Sequence, residues 1–411
     1  MSLPTPLMNR KRAEEVMLAN GVVAMVLCDP TNIYHATGFW PQTVAMGQLG
    51  TTLAVVPARK TAPVILITGQ FHHYLFDLDE AGADGPLAIY LYTSPSPEPE
   101  GGAAPPTFFH PYPGGTPDPF ERLTRSSTLQ QLQRNPAYAG MREALGDALS
   151  GGEAGGMVAY DIALPPALLN DDFKWCLADP MLRRIRMIKS PQEIALMRRA
   201  AVSNAEAAVQ SVQKMSAGCS YDDLRAEYYA ETVRRGGIPL FLMIDSVAFE
   251  NSDGKIREGR SFMIDAVSHY AHYHGDFGRT VCVGEPDHAM RSAMAAAAAA
   301  NEAIARTLRP GIRYHDVMVA GRDAIREAGL KMATPSSPHS IGLFHTDEAF
   351  KGDVLHFAKD DHLIEKDMIL SVDCPILETD IGGTVHLEDL WLITEDGCEV
   401  LNDTSEPVIR I

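Results

Sequence analysis

The chain is short of paired cysteines, of basic charge and of long apolar runs, and each shortage narrows what it can be. Its six cysteines (Cys28, Cys176, Cys219, Cys282, Cys374 and Cys398) are scattered through 411 residues with no CxxC pair. That spacing argues against a zinc ribbon or a disulfide framework and for reduced thiols in a cytoplasmic protein. Only 35 Lys and Arg stand against 53 Asp and Glu, leaving a net charge of −18. A phosphate backbone needs clustered positive charge, so nucleic acid is not an expected partner. No apolar run reaches the ~18 residues that a membrane-spanning helix requires. The opening MSLPTPLMNRKRAEEV lacks the apolar core of a secretory signal, which again points to the cytoplasm.

What is present suits a globular chain: hydrophobic residues make up 45% and charged residues 21%. The length accommodates two domains with separate cores, expected at 1–179 and 180–411. NRKRAEEVMLANG reads as a helix stopped at Gly21, and VVAMVLCD and TTLAVVPA read as buried strands. Residues 93–119 are rich in Pro, Gly and Ser and read as a long loop or insertion, with Phe108, Phe109, His110 and Tyr112 in it. From Ser190 the pattern is that of a long helix: Ser190 as N-cap, Pro191 at the first position and Glu193 three residues after the cap. SYDDLRAEYYAETVRRGG and the Ala-rich HAMRSAMAAAAAANEAIARTLRPG are further helices. Alanine is the best helix former, so the Ala run is expected to pack tightly against a neighbour.

Five residues between these helices carry most of the chemistry: Asp265, Asp276, His339, Asp373 and Glu388. Asp265 and Asp276 are separated by ten intervening residues in MIDAVSHYAHYHGDF; His339 opens HSIGLFHTDE; Asp373 lies in LSVDCP and Glu388 in GGTVHLED. Hard divalent cations take oxygen ligands, and a single imidazole is compatible with Mn, Co, Fe or Zn. Along HYHGDF, period-two alternation predicts that His272, His274 and Asp276 face the same way.

The order and flanks of these residues resemble the pita-bread metallopeptidase family of prolidase, aminopeptidase P, methionine aminopeptidase and creatinase. LANGVVAMVLCDPTNIYHATGFW is similar to the opening of the creatinase/prolidase N-domain, and RRIRMIKSPQEIALMRRAA to the family's entry helix. DMILSVDCPILETDIGGTVHLEDLWLITEDGCEVL is similar to its last two metal-bearing strands. The resemblance implies an α+β architecture, with a C-terminal pita-bread domain preceded by an α/β creatinase-like domain. It implies two divalent ions held by Asp265, Asp276, His339, Asp373 and Glu388, and a metal-activated water acting on an amide bond. Catalytic roles fall to Asp373 and to His345 or Asp347, and substrate contacts to Tyr273, His274, Arg279 and His386. The family also implies a dipeptide or other small-molecule substrate and a homodimer.

The match has departures. His345 follows His339 by six residues where the family spaces its second His by seven, which leaves the role open between His345 and Asp347. Asp373 replaces a Glu, His386 an Arg and Gly278 a Thr. No His occurs between Gly237 and Asp265; the position of the family's upstream His falls near Ala248, Phe249 and Glu250. The metal shell is thus nearly intact while the substrate shell is altered. A prolidase-like hydrolase is the simplest expectation. The alternative is a non-peptidase member acting on a small zwitterion or cation by C–N hydrolysis or β-elimination, as on dimethylsulfoniopropionate, with Tyr34, Phe39, Trp40 and Phe108 as a cation cage. A non-catalytic binding protein ranks last.

Overall fold

The computed structural model describes residues 5–69, 86–92, 138–151, 155–245, 254–330, 337–351, 360–376, 383–402 and 406–411. The segment 93–119, including Phe108, and the positions Ala248, Phe249 and Glu250 lie outside the described residues. The chain forms two compact units, Met1–Asp179 and Pro180–Ile411.

In the first unit, helix α1 (Arg10–Ala19) begins at Asn9, whose side chain accepts from the Arg12 N–H, and it stops at Asn20 before Gly21 at φ 67°. Strands β1 (Val22–Leu27), β2 (Thr52–Pro57), β3 (Val64–Gly69), β4 (Leu87–Tyr92), β5 (Met157–Tyr160) and β6 (Lys174–Leu177) form a mixed sheet in the order β4-β3-β2-β1-β5-β6. Helix α2 (Pro30–Thr37) starts at Asp29 and ends at Gly38 in the left-handed region. Buried Asp161 ties the β1–α2 corner: it accepts from the backbone N–H groups of Cys28 and Asp29 and from the Asn32 side chain. Tyr34 and Trp40 meet edge to face with ring centroids 6.1 Å apart, while Phe39 is buried. Helix α3 (Met141–Ser150) and two short 3-10 helices, Gln42–Met46 and Pro166–Leu168, complete the unit's described elements.

The second unit opens with helix α4 (Asp179–Met187) and is organised by an eight-stranded, largely antiparallel sheet. Its strands are β7 (Ile238–Ile244), β8 (Ser261–Tyr270), β9 (Tyr273–Cys282), β10 (Ser337–Ser340), β11 (Ile369–Ile376), β12 (Val385–Ile393), β13 (Cys398–Val400) and β14 (Val408–Arg410). The path runs β10-β11-β12-β9-β8-β7, with β13 on β12 and β14 on β9. Helix α5 (Pro191–Gln213) has the capping box expected of Ser190 and Glu193, and α6 (Tyr221–Arg234) has a second one from Ser220 and Asp223. Both pack on the β8–β9 face that presents Phe262, Ile264, Ala266 and Phe277. Helix α7 (His288–Thr307) buries Ala293, Ala296, Ala297 and Ala300 against Leu370, Val372, Leu387 and Trp391. Its small side chains therefore allow a close helix–sheet approach. Helix α8 (Tyr314–Glu327) covers α7.

Close approach also explains Gly275. A Cβ there would stand 2.6 Å from the Ala200 carbonyl oxygen and 2.7 Å from Asn204 Cβ, both on α5. Asn204 fixes the contact by donating to the Ala266 carbonyl at 2.7 Å and accepting from the Tyr228 and Ser268 hydroxyls. Gly275→Ala is expected to cost about 1–3 kcal/mol by overpacking. Denaturant unfolding measures this, and an unchanged midpoint contradicts the packing argument.

One sequence expectation is corrected. His272 is not on the strand with His274 and Asp276. Tyr270 pairs with Tyr273 across a two-residue turn in which Ala271 (φ 46°) and His272 (φ 68°) both lie in the left-handed region. Positive φ at both central positions defines a type I′ hairpin turn. His272 stacks on His269 instead, with centroids 5.6 Å apart.

Candidate metal centre

Strand register assembles the site. Asp265 pairs with Gly278, Gly278 with Glu388, Glu388 with Asp373 and Asp373 with Ser337. Cross-strand partners share a face, as do residues two apart on one strand. Asp276 is two before Gly278, Ser371 two before Asp373, His386 two before Glu388 and His339 opposite Ser371. All these positions therefore share the sheet face opposite the helices. A set scattered over more than a hundred residues of sequence becomes a single patch.

The side chains converge. Three groups each offer donor atoms within 4.8 Å of one another: Asp276, His339 and His345; Asp265, His386 and Glu388; and His339, Asp373 and Glu388. Glu388 belongs to two of them and is 1% exposed. Its Oε1 accepts from Ser371 Oγ at 2.6 Å, and its Oε2 lies 3.1 Å from His386 Nε2. His345, half exposed, holds Nε2 3.1 Å from Asp276 Oδ2. Its ring centroid is 4.9 Å from that of His339.

The electrostatics suit cations. Burial, then the charge of Asp373, pushes Asp276 up to about 7. Burial is also the leading cause of the upward shifts of Asp265, Asp373 and Glu388, followed by the neighbouring carboxylates. Four crowded carboxylates cannot all ionise without compensating positive charge. Asp265 Oδ1 is buried with no hydrogen-bond partner among the described residues. An oxygen-rich set with imidazole nitrogen fits one or two divalent ions of the Mn, Co, Fe or Zn type.

The other predicted site residues are distributed differently. His274 shares the Asp276 face; its Nδ1 is 3.0 Å from the Gly342 carbonyl, and burial lowers its pKa to about 4, leaving it neutral. Tyr273 and Arg279 have the opposite strand parity. The Tyr273 hydroxyl donates to Glu193 Oε1 at 3.1 Å, and Arg279 pairs with Asp389 at 2.7 Å and donates to the Glu388 carbonyl. They brace the back of the strands that carry the carboxylates. Asp347 is buried against Arg186 at 2.7 Å, outside the three donor groups. The alternation that links Asp276 to His274 was available in the sequence and separates both from Tyr273 and Arg279.

Sequence reasoning missed Ser371, although its spacing from Asp373 gives it the same face. It also missed the buried charges behind the His339 loop. Lys189, 1% exposed, donates to Ser340 Oγ at 3.3 Å, and Glu348 accepts from the Ser340 N–H at 2.9 Å. Nothing local in the sequence marks these partners, which come from distant segments.

Residues 195–395 match the profile of metallopeptidase family M24. Over 244 residues the chain is 28% identical to "Probable dipeptidase PepE" of Mycobacterium bovis, covering 57% of this chain and 64% of that protein. It is 25% identical to an Xaa-Pro dipeptidase of Pyrococcus horikoshii, covering 56% and 67%. Among solved structures, dipeptidase PepE from Mycobacterium ulcerans superposes with a TM-score of 0.66 at 19% identity, over 98% of this chain and 97% of that one. Prolidase from Pyrococcus furiosus gives 0.62 at 17% identity, over 96% and 100%. The matched region thus spans just under two thirds of the PepE relative's length, while the fold likeness extends over nearly the whole chain. The fold is that of the pita-bread metallopeptidases with their N-terminal domain. Among the described residues, no helix is long and apolar enough to cross a membrane.

Proposed function

We propose that the chain is a binuclear metal-dependent hydrolase of short peptides, most simply an Xaa-Pro dipeptidase-like enzyme. The observation that carries this reading is the convergence of Asp265, Asp276, His339, Asp373 and Glu388 on one sheet face, with Glu388 shared between two donor groups. The relatives named dipeptidase and Xaa-Pro dipeptidase favour a peptidase over the non-peptidase and non-catalytic readings. Mn, Co, Fe or Zn suits the donors, and the family pattern extends the reading to a homodimer.

Asp265, Asp276 and Glu388 would hold one ion, and Asp276, His339, Asp373 and Glu388 the other, with Asp276 and Glu388 shared. The ions, when bound, supply a water nucleophile at neutral pH and polarise the amide carbonyl. The protein's own groups orient and move protons. Ser371 fixes the Glu388 carboxylate, and Arg279 holds the Glu388 backbone from behind. His345 is the half-exposed group beside Asp276, suited to exchange a proton with the substrate and with solvent. Asp347, neutralised by Arg186, keeps a structural role in supporting the His339–His345 loop.

Assays of Xaa-Pro and other dipeptides with Mn or Co, beside small betaines and sulfonium compounds, test the reading. Hydrolysis of dipeptides is expected. A protein with both ions bound that turns over only the non-peptides contradicts it. His345→Ala is expected to lower turnover by ~10²–10⁴-fold, the usual contribution of a positioned acid–base group, with metal content intact. Elemental analysis with kinetics checks this, and wild-type turnover in the variant removes His345 from the mechanism.

A further inference from the structure

His386 was first assigned to substrate contact, yet its surroundings are those of a ligand. Its imidazole is 2% exposed. Nε2 lies 3.1 Å from Glu388 Oε2 and 3.7 Å from Asp373 Oδ1. With Asp265 and Glu388 it forms one of the three donor groups within 4.8 Å.

The seat for this ring depends on residue 278. A Cβ at Gly278 would stand 2.2 Å from His386 Cδ2, 2.4 Å from Nε2 and 2.9 Å from Glu388 Cβ. Gly278 is paired with both Asp265 and Glu388, so the missing side chain opens a gap between those two carboxylates. The ring fills that gap. The backbone holds it there: the His386 N–H donates to Thr280 Oγ1 at 3.0 Å, and the Thr280 hydroxyl donates to the His386 carbonyl at 3.2 Å. Thr280 is two residues beyond Gly278, so one strand supplies both the space and the anchor.

We propose that His386 is a metal ligand, binding through Nε2 the same ion as Asp265 and Glu388, so that each ion of the centre carries an imidazole. This rests on the binuclear reading above. A neutral nitrogen adds a ligand without adding a fifth negative charge to four crowded carboxylates. It also makes an otherwise all-oxygen site less suited to Mg or Ca and more suited to Co, Zn or Fe. The competing role for His386 is that of an outer partner, donating a hydrogen bond to Glu388 without touching the ion.

The two roles separate on magnitude and on chemistry. Losing an outer partner costs about 10–100-fold in metal affinity. The test titrates the metal-stripped full-length protein with Co²⁺ and reads stoichiometry and visible absorption. X-ray absorption at the cobalt edge then counts imidazoles. Wild-type protein is expected to bind two Co²⁺ with about one imidazole per ion. His386→Ala and His386→Gln are both expected to retain one ion and to bind the other more than ~100-fold more weakly, with imidazole scattering per cobalt halved once enough Co²⁺ is present to fill both sites. Gln retains a hydrogen-bond donor, so wild-type binding and spectrum in His386→Gln overturn ligation. So does a loss within ~100-fold in His386→Ala with imidazole scattering unchanged. Equal loss of both ions in a variant with a wild-type circular dichroism spectrum also overturns it. No Co²⁺ binding by the wild type would bring down the binuclear reading together with this inference, whereas a defect-free variant brings down the inference alone.

Discussion

Replacing Glu388 with Ala is expected to empty the metal centre and to lower dipeptide turnover by at least ~10⁴-fold, the scale on which removing one member of a catalytic unit acts. Among the described residues, none belongs to more donor groups than Glu388, which shares two of the three with Asp265, His339, Asp373 and His386. Its Oε1 is held by Ser371 and its Oε2 faces His386, so the two oxygens point to different parts of the site. A carboxylate so placed can serve two ions at once. Removing it also leaves the Ser371 hydroxyl without its acceptor. Glu388→Gln separates these effects: it fills the space and can still accept from Ser371, but lacks the charge. Both variants are expected to be metal-poor by elemental analysis. A Glu388→Ala protein that still binds two ions or retains turnover would show that the centre lies elsewhere.

Chelation is expected to destabilise the protein at pH 8 much more than at pH 5. The sign follows from Asp276, whose ordinary carboxyl pKa of 3.8 is pushed up to about 7 by burial and by Asp373. A carboxyl whose folded-state pKa is raised holds its proton more tightly folded than unfolded. Its contribution to stability is complete below about 4 and is lost as pH rises through about 7. Asp265, Asp373 and Glu388 are shifted in the same direction. In the metal-free protein the cluster thus becomes a liability as pH rises, because adjacent charges face one another unpaired. Bound cations remove that liability and replace the protons. Metal affinity is accordingly expected to fall as pH drops below 7, by about tenfold per pH unit for each proton displaced. Thermal unfolding with and without chelator at the two pH values measures the effect. Equal destabilisation at pH 5 and pH 8 contradicts the assignment of these carboxylates to one cation-binding cluster.

Local signals carried much of the fold. Ser190, Pro191 and Glu193 mark the start of α5 because capping is local chemistry, and the alanines of α7 mark a close-packed helix because small side chains have few other uses in such number. The five metal candidates were legible as an ordered set through resemblance, but their juxtaposition was not. It depends on the register that aligns Asp265, Gly278, Glu388 and Asp373 in one row. His272 was misread because alternation was carried across a turn, where φ, not period two, decides direction. Gly278 and His386 each looked like a loss from the family pattern. Only their contact makes them one feature, since the ring needs the space that the glycine leaves. The buried Lys189 and Glu348 charges, and the pairing of Asp347 with Arg186, were invisible for a similar reason: the partners come from segments far apart in sequence.

The most direct measurement is the metal content of the full-length protein purified without chelator or immobilised-metal chromatography, then reconstituted with Mn²⁺ or Co²⁺. A binuclear centre predicts close to two ions per chain. A protein that binds none after reconstitution, while folded, would contradict the account at its root. The convergence of Asp265, Asp276, His339, Asp373 and Glu388 would then need an explanation without metal.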